Sequence, residues 1–126
     1  MGCDIHVRAE VRTGDEWVPV TEPLEPFEGR NYYMFSLFAG VRFRFGYPAA
    51  IRAPRGLPRD VSEPVSAALS DRDYHSESWL TVGELLAVDY TLEDKQTLGP
   101  CYFDDLATLK QLGEPDDVRI VFAFDN

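Results

Sequence analysis

Apolar side chains recur at every second position in two segments, one near each end of the chain. In residues 4–12 and again in residues 118–124, every second side chain is apolar. A period of two is typical of a strand with one buried face. We predict that the two strands are neighbours in one small sheet, because each buries its apolar face best against the other and against helices. The predicted core residues of this pair are Ile5, Val7, Val11, Ile120, Phe122 and Phe124.

Two shorter segments carry a similar pattern. Residues 17–20 follow a turn and predict a strand, which we place at an edge of the sheet because Pro19 has no N–H to donate to a neighbour. In residues 41–47, Arg42 and Arg44 alternate with apolar side chains, and this pattern predicts a further strand.

Capping residues mark the predicted helices. Asn31 can cap a helix over residues 32–39 that ends at Gly40 and is apolar nearly all round, so we expect it to be buried. Ser62 can cap a second short helix, with a proline tolerated in its first turn.

The second half of the chain predicts two more helices. Thr81 and Glu84 have the spacing of a capping box at a helix start. The last helix is predicted to run from Asp104, as its cap, towards Gly113. The predicted loops are residues 21–29, 48–58 and 71–79.

Together these elements predict an α+β fold: a small, mainly antiparallel sheet with adjacent N- and C-terminal strands, and three or four short helices packed on one side. No repeat or linker divides the chain, so residues 1–126 are expected to form a single domain. The composition is 44% hydrophobic and 13% aromatic, which excludes disorder along the whole chain.

Charge and cysteine content exclude several classes of protein. The net charge of −10 argues against a nucleic-acid coat, because neutralising phosphates needs a positive surface. The longest mostly apolar stretch, residues 32–41, is too short to span a membrane, so we expect no membrane partner. Cys3 and Cys101 are the only cysteines and no secretory signal opens the chain, so a cytoplasmic location is expected.

The arginines are distributed unevenly. Residues 30–59 contain six arginines and no acidic residue, whereas the remainder of the chain carries a formal charge of −16. This basic block is either a layer of structural cations that pairs with the acidic remainder or a site for an anionic ligand. Arginine favours the second use chemically, because its planar guanidinium binds phosphate through two parallel hydrogen bonds.

Two polar segments could complete a ligand site. The segment from Pro54 to Pro58 holds Arg55 between rigid residues, although such a turn could simply cross the surface. Residues 71–79 are either a solvated loop or a pocket wall in which Trp79 stacks on a base. The candidate ligand-binding residues are Arg30, Asn31, Tyr32, Arg52, Arg55, His75, Ser76 and Trp79.

A metal site is the alternative. Asp4 and His6 are two residues apart on a predicted strand and so share a face. With His75 they could form a site of two histidines and one carboxylate, or they could be ordinary strand residues. The chain has no P-loop, dinucleotide fingerprint, nucleophile elbow, CxxC pair or HExxH helix, so common enzyme signatures are absent.

Several short motifs occur in an order that resembles a family of small, uncharacterised proteins from tailed phages and bacteria. They are MGCDIH at residues 1–6, Arg30-Asn31-Tyr32, PRGLP at residues 54–58, His75-Ser76 followed by Ser78-Trp79-Leu80-Thr81, and the ending at residues 118–126. The family has no assigned activity, so the resemblance implies a setting, the cytoplasm of a bacterial host, and no mechanism. The chain departs from the family pattern at residues 42–45, where the resemblance implies a more polar loop.

Three functions are therefore carried forward. The first is a protein that binds a small phosphorylated ligand such as a nucleotide signal, by analogy with phage anti-defence factors that sequester host signals, and that needs no cofactor. The second is a metal-dependent hydrolase or phosphodiesterase using Asp4, His6 and His75. The third is an inhibitor that binds a host protein through an acidic face. Closure of the ligand pocket by a second subunit, as a homo-oligomer, is left open.

Overall fold

The computed structural model describes residues 2–21 and 25–126, within which one antiparallel sheet carries the helices. The strands are β1 (Asp4–Thr13), β2 (Glu16–Pro19), β3 (His75–Thr81) and β4 (Val118–Asp125). The helices are α1 (Tyr32–Ala39), α2 (Glu63–Leu69), α3 (Val82–Leu86), α4 (Leu92–Leu98) and α5 (Pro100–Lys110), and a 3-10 turn (Pro115–Asp117) leads into β4. Within this described part, no helix is long and apolar enough to cross a membrane.

The terminal strands lie side by side at the centre of the sheet, whose order is β2-β1-β4-β3. Ile5 is opposite Phe124 and Val7 is opposite Phe122, so the predicted pairing of the N- and C-terminal strands is confirmed. Strand β2, with Pro19, lies at an edge as predicted. The predicted loop over residues 21–29 falls in part on residues 22–24, which are outside the described residues.

Strand β4 is covered on both faces. Its even-numbered side chains, such as Ile120 and Phe122, pack into the main core with helices α1, α3, α4 and α5 on what we call the inner face. On the opposite, outer face, Val121 and Ala123 pack against helix α2. The α+β class and four helices on one side are therefore confirmed, and α2 is an additional helix on the other side.

The predicted helix caps are largely confirmed. The Asn31 side chain accepts a hydrogen bond from the Met34 backbone at 3.1 Å, and α1 ends at Gly40, which has a φ of 75°. Thr81 and Glu84 form both hydrogen bonds of a capping box at the start of α3. Ser62 occupies the cap position of α2, but its buried hydroxyl makes no capping hydrogen bond.

The strand predicted over residues 41–47 is wrong, because this segment forms turns. Arg42 has a left-handed backbone with a φ of 58°, which a continuous strand cannot contain. The exposed edge of β3 is also occupied elsewhere, since the Gly56 N–H donates to the Glu77 carbonyl at 2.8 Å. Without an edge to pair with, the segment leaves Phe45 fully exposed.

Two other boundaries differ from the sequence prediction. The loop predicted over residues 71–79 contains most of strand β3, whose polar side chains conceal the alternation of buried Ser78 and Leu80. The last helix starts at Pro100, not at Asp104, because proline is well suited to the first helical turn.

Candidate functional site

An alternating row of arginine and tryptophan side chains crosses the outer face of the sheet. The Arg119 guanidinium carbon lies 3.9 Å from the centroid of the Trp17 ring and 5.9 Å from that of Trp79. Arg12 lies 5.5 Å from the Trp17 centroid, and Arg55 lies 4.1 Å from that of Trp79. The order of contacts is Arg12–Trp17–Arg119–Trp79–Arg55, and we call this series the arginine–tryptophan ladder. Cation–π attraction stabilises each step.

Strand register produces this ladder. Arg12 on β1 is directly opposite Trp17 on β2, so both side chains share a face. Trp79 on β3 is opposite Val121 of β4, and Arg119 precedes Val121 by two residues on that same face. Four strands thus supply four of the five members, and the loop before α2 supplies Arg55.

Arg119 is held in place by one buried carboxylate, Glu10, and one exposed carboxylate, Asp60. Its side chain is only 3% exposed, its Nε donates to Glu10 Oε1 at 2.8 Å, and its Nη1 donates to Asp60 Oδ1 at 2.9 Å. Glu10 is fully buried, and its other oxygen accepts from the Ser62 N–H at 2.8 Å. Burial raises the pKa of Asp60, but the hydrogen bond from Arg119 outweighs it and leaves that pKa below its usual range.

Arg55 is also engaged within the protein. Its two Nη atoms donate to the two carboxylate oxygens of Glu84 at 3.0 and 2.5 Å, and Nη1 also donates to the Trp79 carbonyl at 3.0 Å. Burial raises the pKa of Glu84, but hydrogen bonds from Arg55 and the Thr81 backbone outweigh it and lower that pKa overall. The guanidinium fork that the sequence assigned to phosphate is therefore paired with a carboxylate in this structure.

Arg59 is the cation that remains available beside the ladder. It is exposed and makes no hydrogen bond or ion pair with any described residue. It lines a pocket of about 560 Å³ that opens over the ladder. The pocket lining consists of Arg12, Trp17, Arg55, Leu57, Pro58, Arg59, Asp60, Trp79, Thr81, Asp116 and Arg119. We call this cavity the outer-face pocket.

Of the candidate ligand-binding residues, the outer-face pocket brings together Arg55 and Trp79. Arg52 lies just outside its lining and pairs with Glu84 at 3.3 Å. His75 and Ser76 lie at the opposite end of β3, where they hydrogen-bond to each other.

The three remaining candidates lie around the N-terminus of the described chain. Arg30 donates to Asp4 at 3.0 and 3.1 Å. The Asn31 amide, besides capping α1, donates to the Thr97 carbonyl at 3.1 Å. The Tyr32 hydroxyl accepts from the Cys3 N–H at 2.9 Å. The structure therefore does not assemble the eight candidates into one site.

The three proposed metal ligands also have separate environments. His6 points to the outer face, where it pairs with Asp125 and stacks on Tyr74 with ring centroids 4.5 Å apart. His75 is opposite Phe124 and tilts against its ring, which places it on the inner face. Asp4 bonds to Arg30. In the ranges that the structure describes, no group of three His, Cys, Asp or Glu side chains could hold a metal ion.

Sequence reasoning missed three arginines and one tryptophan of the outer-face pocket: Arg12, Arg59, Arg119 and Trp17. A signal was present for Arg119, which is the one charged residue inside the apolar alternation of residues 118–124. Comparisons with family models, with curated proteins and with solved structures gave no match to this chain. The function is therefore argued from the geometry of the site alone.

Proposed function

We propose that the protein binds a small phosphorylated ligand with a planar ring, such as a nucleotide, in the outer-face pocket. The observation that carries the proposal is Arg59, unpaired within the described part of the chain, beside two tryptophans in a cavity of about 560 Å³. Cavities of about 300 to 1,000 Å³ are the usual size for small-ligand sites.

Arg59 is the primary phosphate contact in this proposal. Its five N–H donors are free of partners among the described residues, so binding an anion breaks no existing ion pair. Arg12 can add a second contact. Only its Nε and Nη2 donate to Asp117, both to the same carboxylate oxygen, and its side chain is 45% exposed. Exposed ion pairs of this kind contribute little stability, so a phosphate can replace the carboxylate.

The remaining lining suits the rest of a nucleotide. The partly exposed Trp17 and Trp79 rings and the guanidinium planes between them offer stacking surfaces for a base. Asp116 lines the same pocket and can accept hydrogen bonds from ligand hydroxyl or amino groups. Retention of a nucleotide signal in this pocket, as a means of sequestering it in a bacterial host, is the use we propose for this binding.

Titration with nucleotides tests the proposal through the protein's own fluorescence. The chain has two tryptophans, and both line the pocket, so emission reports on its occupancy directly. Mono-, di- and cyclic nucleotides are titrated, with inorganic pyrophosphate as the ring-free probe. We expect saturable quenching by a nucleotide. Arg59→Ala should weaken that binding by about 10-fold or more, the usual effect of losing a hydrogen bond to a charged group.

Arg72→Ala is the matched control, because Arg72 is an exposed arginine of the segment before β3, outside the pocket lining. The nucleotide affinity of the Arg72→Ala protein should equal that of the unsubstituted protein. An Arg59→Ala protein that binds as tightly as the Arg72→Ala protein would contradict the proposal, and so would the absence of quenching by every nucleotide tested.

A further inference from the structure

Ser76, His75 and Asn126 form a chain of hydrogen bonds at the other end of the sheet. Ser76 Oγ lies 2.9 Å from His75 Nδ1, and His75 Nε2 lies 3.2 Å from Asn126 Oδ1. His75 and Ser76 are partly buried and Asn126 is exposed, so solvent reaches the group. A hydroxyl, an imidazole and an orienting amide in series form the arrangement that activates a nucleophile.

The backbone at Ser76 explains how neighbouring residues can make this contact. Successive side chains of a regular strand point to opposite faces, which would separate Ser76 from His75. Ser76 instead has a φ of 57°, and the register of β3 against β4 is interrupted between His75 and Ser78. This left-handed conformation is unfavourable for a residue with a Cβ, and such outliers concentrate at functional sites.

The hydrogen bond to Asn126 fits one tautomer of a neutral His75. Asn126 Oδ1 is an acceptor, so the hydrogen of a neutral imidazole lies on Nε2 and is donated to it. His75 Nδ1 then carries a lone pair directed at the Ser76 hydroxyl. This is the tautomer that a general base needs.

A second cavity of about 510 Å³ adjoins His75 and Asn126 of this group. It is lined by Asp71, Asp73, Tyr74, His75, Asp125 and Asn126. Three aspartates and no lysine or arginine in this lining make the cavity attractive to cations, in contrast to the outer-face pocket. The two sites are also far apart, because Arg119 and Asp125 are six residues apart on β4, or about 20 Å at a rise of about 3.3 Å per residue.

We propose that Ser76 is the nucleophile of a hydrolytic site for carboxylic esters that carry a positively charged group. Ser76 Oγ attacks the ester carbonyl carbon, and its proton moves to His75 Nδ1. The ester C–O bond then breaks, and the alcohol leaves with the proton from His75. Water, deprotonated by His75, attacks the acyl group on Ser76, which releases the acid and restores the serine.

The aspartates have two effects in this proposal. Their negative charge stabilises the imidazolium that forms on His75 during each proton transfer. It also attracts the cationic part of the substrate and repels anionic esters. The site is therefore independent of phosphorylated ligands, and its failure would leave the proposed function of the outer-face pocket intact.

Labelling with a fluorophosphonate probe tests the nucleophile. Attack by Ser76 displaces fluoride and leaves a stable phosphonyl group, which intact mass and peptide mapping locate. We expect one label per chain on Ser76, none in Ser76→Ala, and at least a 10-fold slower reaction in His75→Gln. Ser70→Ala is the control, since Ser70 is an exposed serine at the end of α2, and it should label normally.

Acetylcholine and its neutral isostere 3,3-dimethylbutyl acetate test the substrate class. We expect kcat/KM at least 10-fold higher for the charged ester at low salt, and lower kcat in Asn126→Ala, which loses the acceptor that orients the imidazole. Circular dichroism confirms that each variant is folded. The assignment of Ser76 as the nucleophile is overturned if Ser76 is not labelled. It is also overturned if a folded His75→Gln or Asn126→Ala protein is labelled as fast as the parent. Equal rates for the two esters overturn the cationic substrate.

Discussion

At the scale of single residues, the central fact is a buried ion pair inside an otherwise apolar strand. Arg119 is 3% exposed and Glu10 is fully buried, and both keep hydrogen bonds to further partners. Removing charges from water is costly, and the cost is repaid only while every partner is present. A shifted register would leave one of these charges buried without its partner, so the pair favours the register in which Glu10 of β1 is directly opposite Arg119 of β4.

Removal of one member of this pair should be strongly destabilising. We expect Arg119→Met to lower the free energy of unfolding by about 3 to 5 kcal/mol, because Glu10 is left buried without its cation. Urea denaturation followed by circular dichroism measures the loss. The double variant Arg119→Met/Glu10→Leu should recover part of it, whereas a single variant within about 1 kcal/mol of the parent would show that the pair is unimportant.

At the scale of secondary-structure elements, alternation predicted the structure well only where a neighbouring strand is available for pairing. The patterns at residues 4–12 and 118–124 describe β1 and β4, which pair along eight residues. Residues 41–47 alternate equally well but form turns, since the edge of β3 is already bonded to Gly56. Periodicity indicates which face of a segment could be buried, but it does not indicate whether a neighbouring strand has an edge free for hydrogen bonding.

The candidate site was less predictable than the fold for the same reason. The sequence showed that residues 30–59 lack acidic residues. In the folded protein, however, Arg30 forms an ion pair with Asp4, and Arg55 forms one with Glu84. Of the six arginines, Arg42, Arg44 and Arg59 were not chosen as candidates, yet Arg59 lines the outer-face pocket and has no partner among the described residues. Ion pairing between distant residues depends on tertiary contacts that no local pattern contains.

The start of α3 should make the protein sensitive to acid. The pKa of Glu84 is lowered in the folded protein, so its carboxylate contributes stability above the ordinary glutamate pKa of about 4.3, and that stability is lost as the pH falls through the folded value. Glu84→Gln keeps the capping hydrogen bonds but removes the charge. We expect Glu84→Gln to be less stable than the parent at pH 7 by about 1 kcal/mol, with the difference shrinking as the pH falls below the ordinary glutamate pKa.

Thermal denaturation between pH 3 and pH 7 measures this difference. Glu16→Gln is the control, because Glu16 is exposed on β2 and has no ion pair with the described residues. Its pH profile should follow that of the parent. A constant gap between Glu84→Gln and the parent at every pH would exclude Glu84 as the group responsible.

At the scale of the whole molecule, charge is separated between two ends of one sheet. The outer-face pocket lies near the beginning of β4 and holds Arg59, which is unpaired among the described residues, whereas three aspartates line the cavity at the end of β4. The chain as a whole carries −10. A ligand therefore experiences the net charge at long range and the local charge of one site only at close range.

This separation predicts opposite salt dependences for the two sites. The Debye length is about 30 Å at 0.01 M salt and about 8 Å at 0.15 M, so low salt exposes a ligand to the full net charge. We expect the association rate of a nucleotide, measured by stopped-flow tryptophan fluorescence, to rise as salt increases over this range, because screening removes long-range repulsion. The kcat/KM for a cationic ester should fall over the same range, because screening removes long-range attraction. If nucleotide association slows as salt is added, the cations around Arg59 dominate the approach and the net charge does not.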